Sequence, residues 1–244
     1  RWQFSDDAAN YMDSASTAAK AAFPALGGTA YVGYALKVAA ANGVATGRLV
    51  HVNGVADVIA DGLGKQRKAI ILKSEGTGSW YFYHPELTAG KLLYLEQTAA
   101  ETTDATISTV TSTGFTVAAA LTSGTYRWIA LAEIDGLLKL SKHVGNGGTN
   151  GPSEMTGLSA ALVISKSTSA SEWGVFDAQR DKANPAGTML YLNTNAGESA
   201  GIDFDVNSNG VKYRNYAHAS INSSGYTYLA VHIAAFHFRY ANAR

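Results

Sequence analysis

The chain has 244 residues, 46% of them hydrophobic, enough to bury one large core or two ordinary ones, which excludes global disorder. Lysine plus arginine and aspartate plus glutamate stand at 19 each, so no net field draws the chain to a polyanion or an anionic membrane, and nucleic acid is not an expected partner. Cysteine is absent, which removes disulfides, thiolate zinc sites and cysteine nucleophiles together.

The chain opens on "RWQFSDDAANYM", which lacks the basic-then-apolar layout of a signal peptide, and no apolar run approaches the ~18 residues that a membrane span needs. No membrane insertion is expected. A start at Arg1 rather than methionine suggests a piece of a longer protein. Residues 1–44 form a segment of their own. Its stretch "DDAANYMDSASTAAKAAF" is rich in alanine and offers Ser5, Asp6 or Asp7 as helix caps, predicting three or four helical turns. Tyr11, Ala15, Ala18, Ala19 and Ala22 give that helix a thin apolar stripe, suited to docking or oligomerisation.

Beyond residue 44 the chain repeats itself. "HVNG" at His51 is answered by "HVGNG" at His143, "DGL" ending at Leu63 by "TGL" ending at Leu158, and "AIILK" ending at Lys73 by "ALVISK" ending at Lys166. Trp80 and Trp173 each follow their lysine by the same interval, and "LYLEQTAAE" from Leu93 returns as "LYLNTNAGE" from Leu190. "STGFTV" with Gly114 matches "SNGVKY" with Gly210, and "YRWIALAEI" from Tyr126 aligns with "YTYLAVHI" from Tyr226. A period of about 93 residues is far longer than a solenoid turn of about 20 to 50, so each copy reads as a small module. The boundaries fall at 45–140 and 141–244.

Within the modules, "AIIL" and "AALVIS" are short continuous apolar runs, the mark of strands buried on both faces. "IDFDVNSNG" alternates Ile202, Phe204 and Val206 with Asp203, Asp205 and Asn207, a strand with one wet face ending in a turn. Turn signals such as "GNGG", "SNG" and "SSG" recur throughout. The expected class is all-β: two tandem antiparallel β-sandwich modules of the jelly-roll kind, preceded by the short, partly helical segment. The last strand carries Tyr226, Tyr228, Phe236, Phe238 and Tyr240 at one parity, an aromatic face for the core or for another chain.

Chemistry-bearing motifs are scarce. HExxH, GxSxG, GxxxxGK[ST] and GxGxxG do not occur, and no catalytic residue or cofactor is assigned. Asp205, Asn207, Asn209 and Gly210 match the first half of a calcium loop without its closing glutamate, since Tyr216 stands there. Thr109, Thr111, Thr113 and Gly114 fill the same places in the first copy, which favours a shared turn over a shared metal site. Trp173, Asp177, Arg180 and Asn184 gather an aromatic platform and hydrogen-bonding groups of the kind that hold sugars; the competing reading makes Trp173 a core anchor and pairs Asp177 with Arg180 to stiffen a loop.

The order "GNG", "GL", a short apolar strand ending in lysine, Trp173, "FD" with Arg180, "NP", "LYLN", "SNG" and "INSSGYTYLA" resembles a family of bacteriophage tail and tail-fibre-like virion proteins with tandem modules, over roughly residues 50 to 244. The closing "AFHFRYANAR" is similar to the family's usual chain end, which implies a native C-terminus. The resemblance implies a non-enzymatic structural component of the virion, a tail fibre or tail-associated adhesin that meets the host surface. Its implied partners are copies of itself, as a homotrimer, other tail proteins and a host surface glycan. Val211, Lys65 to Lys68 and Ser159 to Ala161 depart from the family's pattern at packing and turn positions. Alternatives are a carbohydrate-binding module of a secreted protein, or a tailspike-type polysaccharide depolymerase working through Asp203 and Asp205.

Overall fold

The computed structural model describes residues 36–214 and 218–234. The predicted N-terminal helix, Tyr216, and the aromatic positions Phe236, Phe238 and Tyr240 lie outside them. Among the described residues the protein is all-β, with seventeen strands in three sheets and antiparallel pairing throughout.

The first nine strands are β1 (Val44–His51), β2 (Asp57–Ala60), β3 (Lys68–Ser74), β4 (Trp80–Tyr83), β5 (Lys91–Tyr94), β6 (Thr102–Thr103), β7 (Ile107–Val110), β8 (Gly114–Val117) and β9 (Gly124–Ala132). They make a six-stranded sheet in the order β1-β9-β3-β4-β5-β6 and a three-stranded sheet in the order β2-β8-β7. The other eight are β10 (Leu138–Val144), β11 (Ser153–Met155), β12 (Ala160–Ser167), β13 (Gly174–Asp177), β14 (Ala186–Tyr191), β15 (Ser199–Asn207), β16 (Gly210–Tyr213) and β17 (Thr227–Ala234). They form one eight-stranded sheet, β10-β17-β12-β13-β14-β15-β16-β11.

The second order repeats the first, with one strand doing the work of two. The beginning of β15 pairs with β14 and its end with β16; in the first half β6 pairs with β5 and β7 with β8. Gly201, at φ +76°, supplies a backbone bend inside β15 that other residues resist. In the first half the chain breaks instead at Asp104, whose Oδ1 accepts from Thr106 N (2.7 Å) and whose Oδ2 accepts from the Tyr94 hydroxyl (2.7 Å).

Side-chain parity explains the continuous apolar runs. On β3, Ile70 and Leu72 enter a core with Leu92, Phe115, Val117 and Trp128, while Ala69 and Ile71 face the other way. On β12, Val163 enters a core with Phe176, Phe204 and Tyr213, while Ile164 faces outward. The two outward faces meet: Ala69, Ile71, Phe82, Leu93 and Leu131 pack with Leu138, Leu140, Trp173, Leu229 and Val231 in a third cluster. The central strands of both halves are therefore buried on both sides.

One alignment read from the sequence is corrected by register. Lys73 pairs with Arg127 on β9, and Lys166 pairs with Leu229 on β17. Tyr126 is thus answered by Tyr228, not Tyr226. A two-residue slip keeps every side chain on its face, so alternation alone does not reveal it.

Candidate functional site

The repeated polar words of the sequence perform matching backbone work in the two halves. Lys73 Nζ donates to the carbonyls of Ser74 (2.6 Å) and Gly76 (2.7 Å), and Lys166 Nζ to those of Ser167 (3.0 Å) and Ser169 (3.1 Å). Lys166 also reaches Thr98 O and Ser171 Oγ, both at 3.4 Å. Burial pushes its ammonium down to about 8, the charge of Glu172 opposing. Lys73 instead stands 5.8 Å from the Trp80 ring centre, a cation–π distance.

The tryptophans follow the same rule. Trp80 N donates to Glu96 Oε2 and Trp173 N to Asn193 Oδ1, each at 3.0 Å. Their carbonyls accept from Leu95 N and Leu192 N, again at 3.0 Å. Tyr94 and Tyr191 pair with Tyr81 and Gly174 at corresponding ladder positions.

A histidine on the first strand of each half closes the gap to the second. His51 on β1 meets Asp57 Oδ2 at 2.6 Å through Nδ1 and Leu121 O at 2.9 Å through Nε2. His143 on β10 meets Glu154 Oε1 at 3.2 Å through Nδ1 and Ile221 O at 2.9 Å through Nε2. Strands β10 and β11 are the two ends of the eight-stranded sheet, so His143–Glu154 joins side chains where no backbone ladder runs.

Glu154 is the centre of a buried polar group. Its Oε2 accepts from the Tyr213 hydroxyl (2.9 Å) and contacts His232 Nε2 (3.1 Å), which also lies 2.8 Å from Ser141 Oγ. Burial alone would raise the Glu154 carboxyl; the hydrogen bonds and charges of His143 and His232 outweigh it and hold the group well below the usual carboxylate range. Burial, with the charge of Glu154, lifts Tyr213 far above an ordinary phenol. Serine, histidine and glutamate together suggest a hydrolytic triad, but the geometry is wrong for one. Hydroxyl and acid meet the same nitrogen of His232, whereas a relay needs the acid on the opposite one; His232 Nδ1 has no hydrogen-bond partner.

The sequence-predicted sugar residues are not brought together on a surface. Trp173 is 1% exposed within the cluster between the halves, and its Nε1 donates to Tyr94 O at 2.9 Å. The indole face is unavailable to a glycan, and the core-anchor reading holds. Asp177 is buried and its Oδ1 accepts from Gln179 N (2.8 Å) and Arg180 N (3.3 Å), a loop brace. The Arg180 guanidinium pairs with Glu198 rather than with Asp177, whose carboxylate takes the Arg180 backbone N–H, and donates to Thr188 Oγ1 (2.9 Å). Asn184 exchanges two bonds with the Val206 backbone, at 2.9 and 3.0 Å.

The half calcium loop is a two-residue hairpin. Asn207 pairs with Gly210 across Ser208 and Asn209, the Asn209 carbonyl accepts from Thr156 N (3.0 Å) and Gly157 N (2.9 Å), and Asp205 pairs with Arg214. Asp203 is exposed on the same strand, two residues before this arginine-paired aspartate. Among the described residues no group of three or more His, Cys, Asp or Glu side chains is placed to hold a metal ion.

Sequence reasoning missed His232 and Glu154, which lie far apart in the chain and meet only through the sheet. The repetition of His51 and His143 was the available signal. No curated protein and no solved structure matches the chain. A family model described as a domain of unknown function (DUF7483) matches residues 37–236, both halves together, and the chain belongs to that family.

Proposed function

We propose that the protein is a non-catalytic structural component of a bacteriophage particle, a tail fibre or tail-associated adhesin, built from two duplicated β-sandwich modules that act as one rigid body. The observation carrying this reading is the matched use of polar residues: lysine, tryptophan and histidine of both halves spend their donors on turns, strand ends and the gap between edge strands. Side chains committed in this way hold a shape, and none is left poised over a cleft. The resemblance of its motif order to that of phage tail proteins supports the location, and the family match across both halves supports the pair as the inherited unit.

Contact with a host glycan then falls to the outer loops rather than to Trp173. Self-assembly, as a homotrimer, and attachment to other tail proteins complete the reading. Mass spectrometry of purified particles and antibody labelling of intact ones test it: the protein is expected on the particle, at an accessible position. Its absence from purified particles would sink the proposal, and light scattering giving a monomer would remove the trimer.

A further inference from the structure

Lys68 opens β3 with its side chain directed, like Ile70 two residues on, into the core of the first half. Asp61 follows β2, and its Oδ2 pairs with Lys68 Nζ; both side chains are 0% exposed. The other carboxyl oxygen, Oδ1, accepts from Leu63 N at 2.9 Å.

Two buried lysines in one molecule permit a comparison. An ammonium carries three donors, and burying it without acceptors is costly. Lys166 finds four oxygens. Asp61 is the one partner of Lys68 among the described residues. Moving a proton from Nζ to Oδ2 removes both charges and leaves a neutral amine against a carboxylic acid, away from water. A desolvated lysine amine is a nucleophile, and a positioned pair reacts as though at high concentration.

We propose that Lys68 and Asp61 join in an intramolecular isopeptide bond, formed by the protein itself. The Nζ lone pair attacks Asp61 Cγ, and negative charge gathers on Oδ1, where the Leu63 N–H stabilises it. A proton passes from nitrogen to the departing Oδ2, the Cγ–Oδ2 bond breaks and one water leaves. The product is an amide with one N–H and one C=O. No oxidant or cofactor enters the balance. Burial favours this direction, because it replaces an undersatisfied ionic pair by a neutral group and releases water. In the second half Thr156 stands where Asp61 does, and Ala160 faces Ala234 as Lys68 faces Ala132, so acid and amine are absent together; the Thr156 hydroxyl donates to Leu158 O at 3.3 Å, within the same turn. In a chain without cysteine, such a link would supply the covalent tie that disulfides give elsewhere.

The test is the intact mass of the full chain under denaturing conditions, followed by tryptic mapping. The expected mass is lower than that of the sequence by one water, with a branched peptide joining the segment that carries Asp61 to the one that begins at Lys68. Lys68→Arg is expected at full sequence mass. Because Asp61 precedes Gly62, a cyclic imide at Asp61 would also lose water. A water loss confined to an unbranched peptide overturns the proposal, as does a wild-type chain at full mass.

Discussion

The indole nitrogen of Trp173 donates across the boundary between the halves, 2.9 Å from the Tyr94 carbonyl. Its ring meets Phe82 of the first half edge to face, with centroids 5.0 Å apart. A residue of the second half is thus anchored in the core that the two halves share. Trp80, at the corresponding place, is only half buried.

Truncating Trp173 should therefore cost far more than truncating Trp80. Trp173→Ala opens a cavity at the shared face and is expected to destabilise the chain by about 3–5 kcal/mol. Trp80→Ala should cost less than half of that, in keeping with its exposure. Urea unfolding of both variants checks this ranking, and equal losses would mean that the shared face is not a single core.

A second expectation concerns acid. His84 is fully buried, where Nε2 faces Ala230 O at 3.4 Å and Nδ1 accepts from Glu86 N at 3.2 Å, an arrangement that suits neutral imidazole. Burial pushes its pKa down to about 4 from 6.5, against smaller upward effects from Ala230 O and the charges of Glu86 and Glu133, with the charge of Arg67 adding to the fall. With the folded value below the unfolded one, the unfolded chain takes up the proton first. Stability should be intact above about pH 6.5 and fall as pH drops toward 4, by on the order of 3 kcal/mol from this group. His84→Gln should flatten that limb in unfolding measured at several pH values; an unchanged slope would assign it elsewhere.

Much of this is legible in the sequence. The duplicated words place Lys73 with Lys166 and Trp80 with Trp173, because residues held by the backbone around them recur with that backbone. The runs "AIIL" and "AALVIS" announce strands buried on both sides, though not that each half covers the other. Other features were illegible for physical reasons. The second half offers tyrosine at both 226 and 228, so the slip in β17 preserves pattern and face alike. A tryptophan followed by polar residues suits a sugar platform as well as a core anchor, and burial alone separates them. Glu154 and His232 lie 78 residues apart, and only the strand order brings them together.

Glu154 should prove the most sensitive polar residue. Glu154→Gln leaves His143, His232 and the Tyr213 hydroxyl without their carboxylate, and breaking a buried charged group of this kind costs about 3–5 kcal/mol. The sign with pH is that of a depressed acid: its stabilisation is present above the unfolded value near 4.5 and is lost as pH falls through the lower folded value. The variant should therefore lose stability at neutral pH and show a shallower acid limb below about pH 4.5. Full stability of Glu154→Gln at pH 7 would contradict the role given to this cluster.

A last pair of substitutions tests whether the halves share one backbone design. Gly114 and Gly210 begin β8 and β16, and each lies against the carbonyl of the neighbouring edge strand. A Cβ on Gly114 would stand 1.8 Å from Ile59 O, and one on Gly210 2.0 Å from Glu154 O. Neither neighbour is a flexible side-chain tip; in both cases a ladder strand would have to move. Alanine at either position should cost about 1–3 kcal/mol or more, by the strain that overpacking imposes. Gly187, with open space around its missing Cβ, is the control and should accept alanine at little cost. Thermal unfolding of the three variants decides the matter: similar losses at 114 and 210 follow from a duplicated close approach, whereas tolerance at one of them would mean that the two hairpins are braced differently.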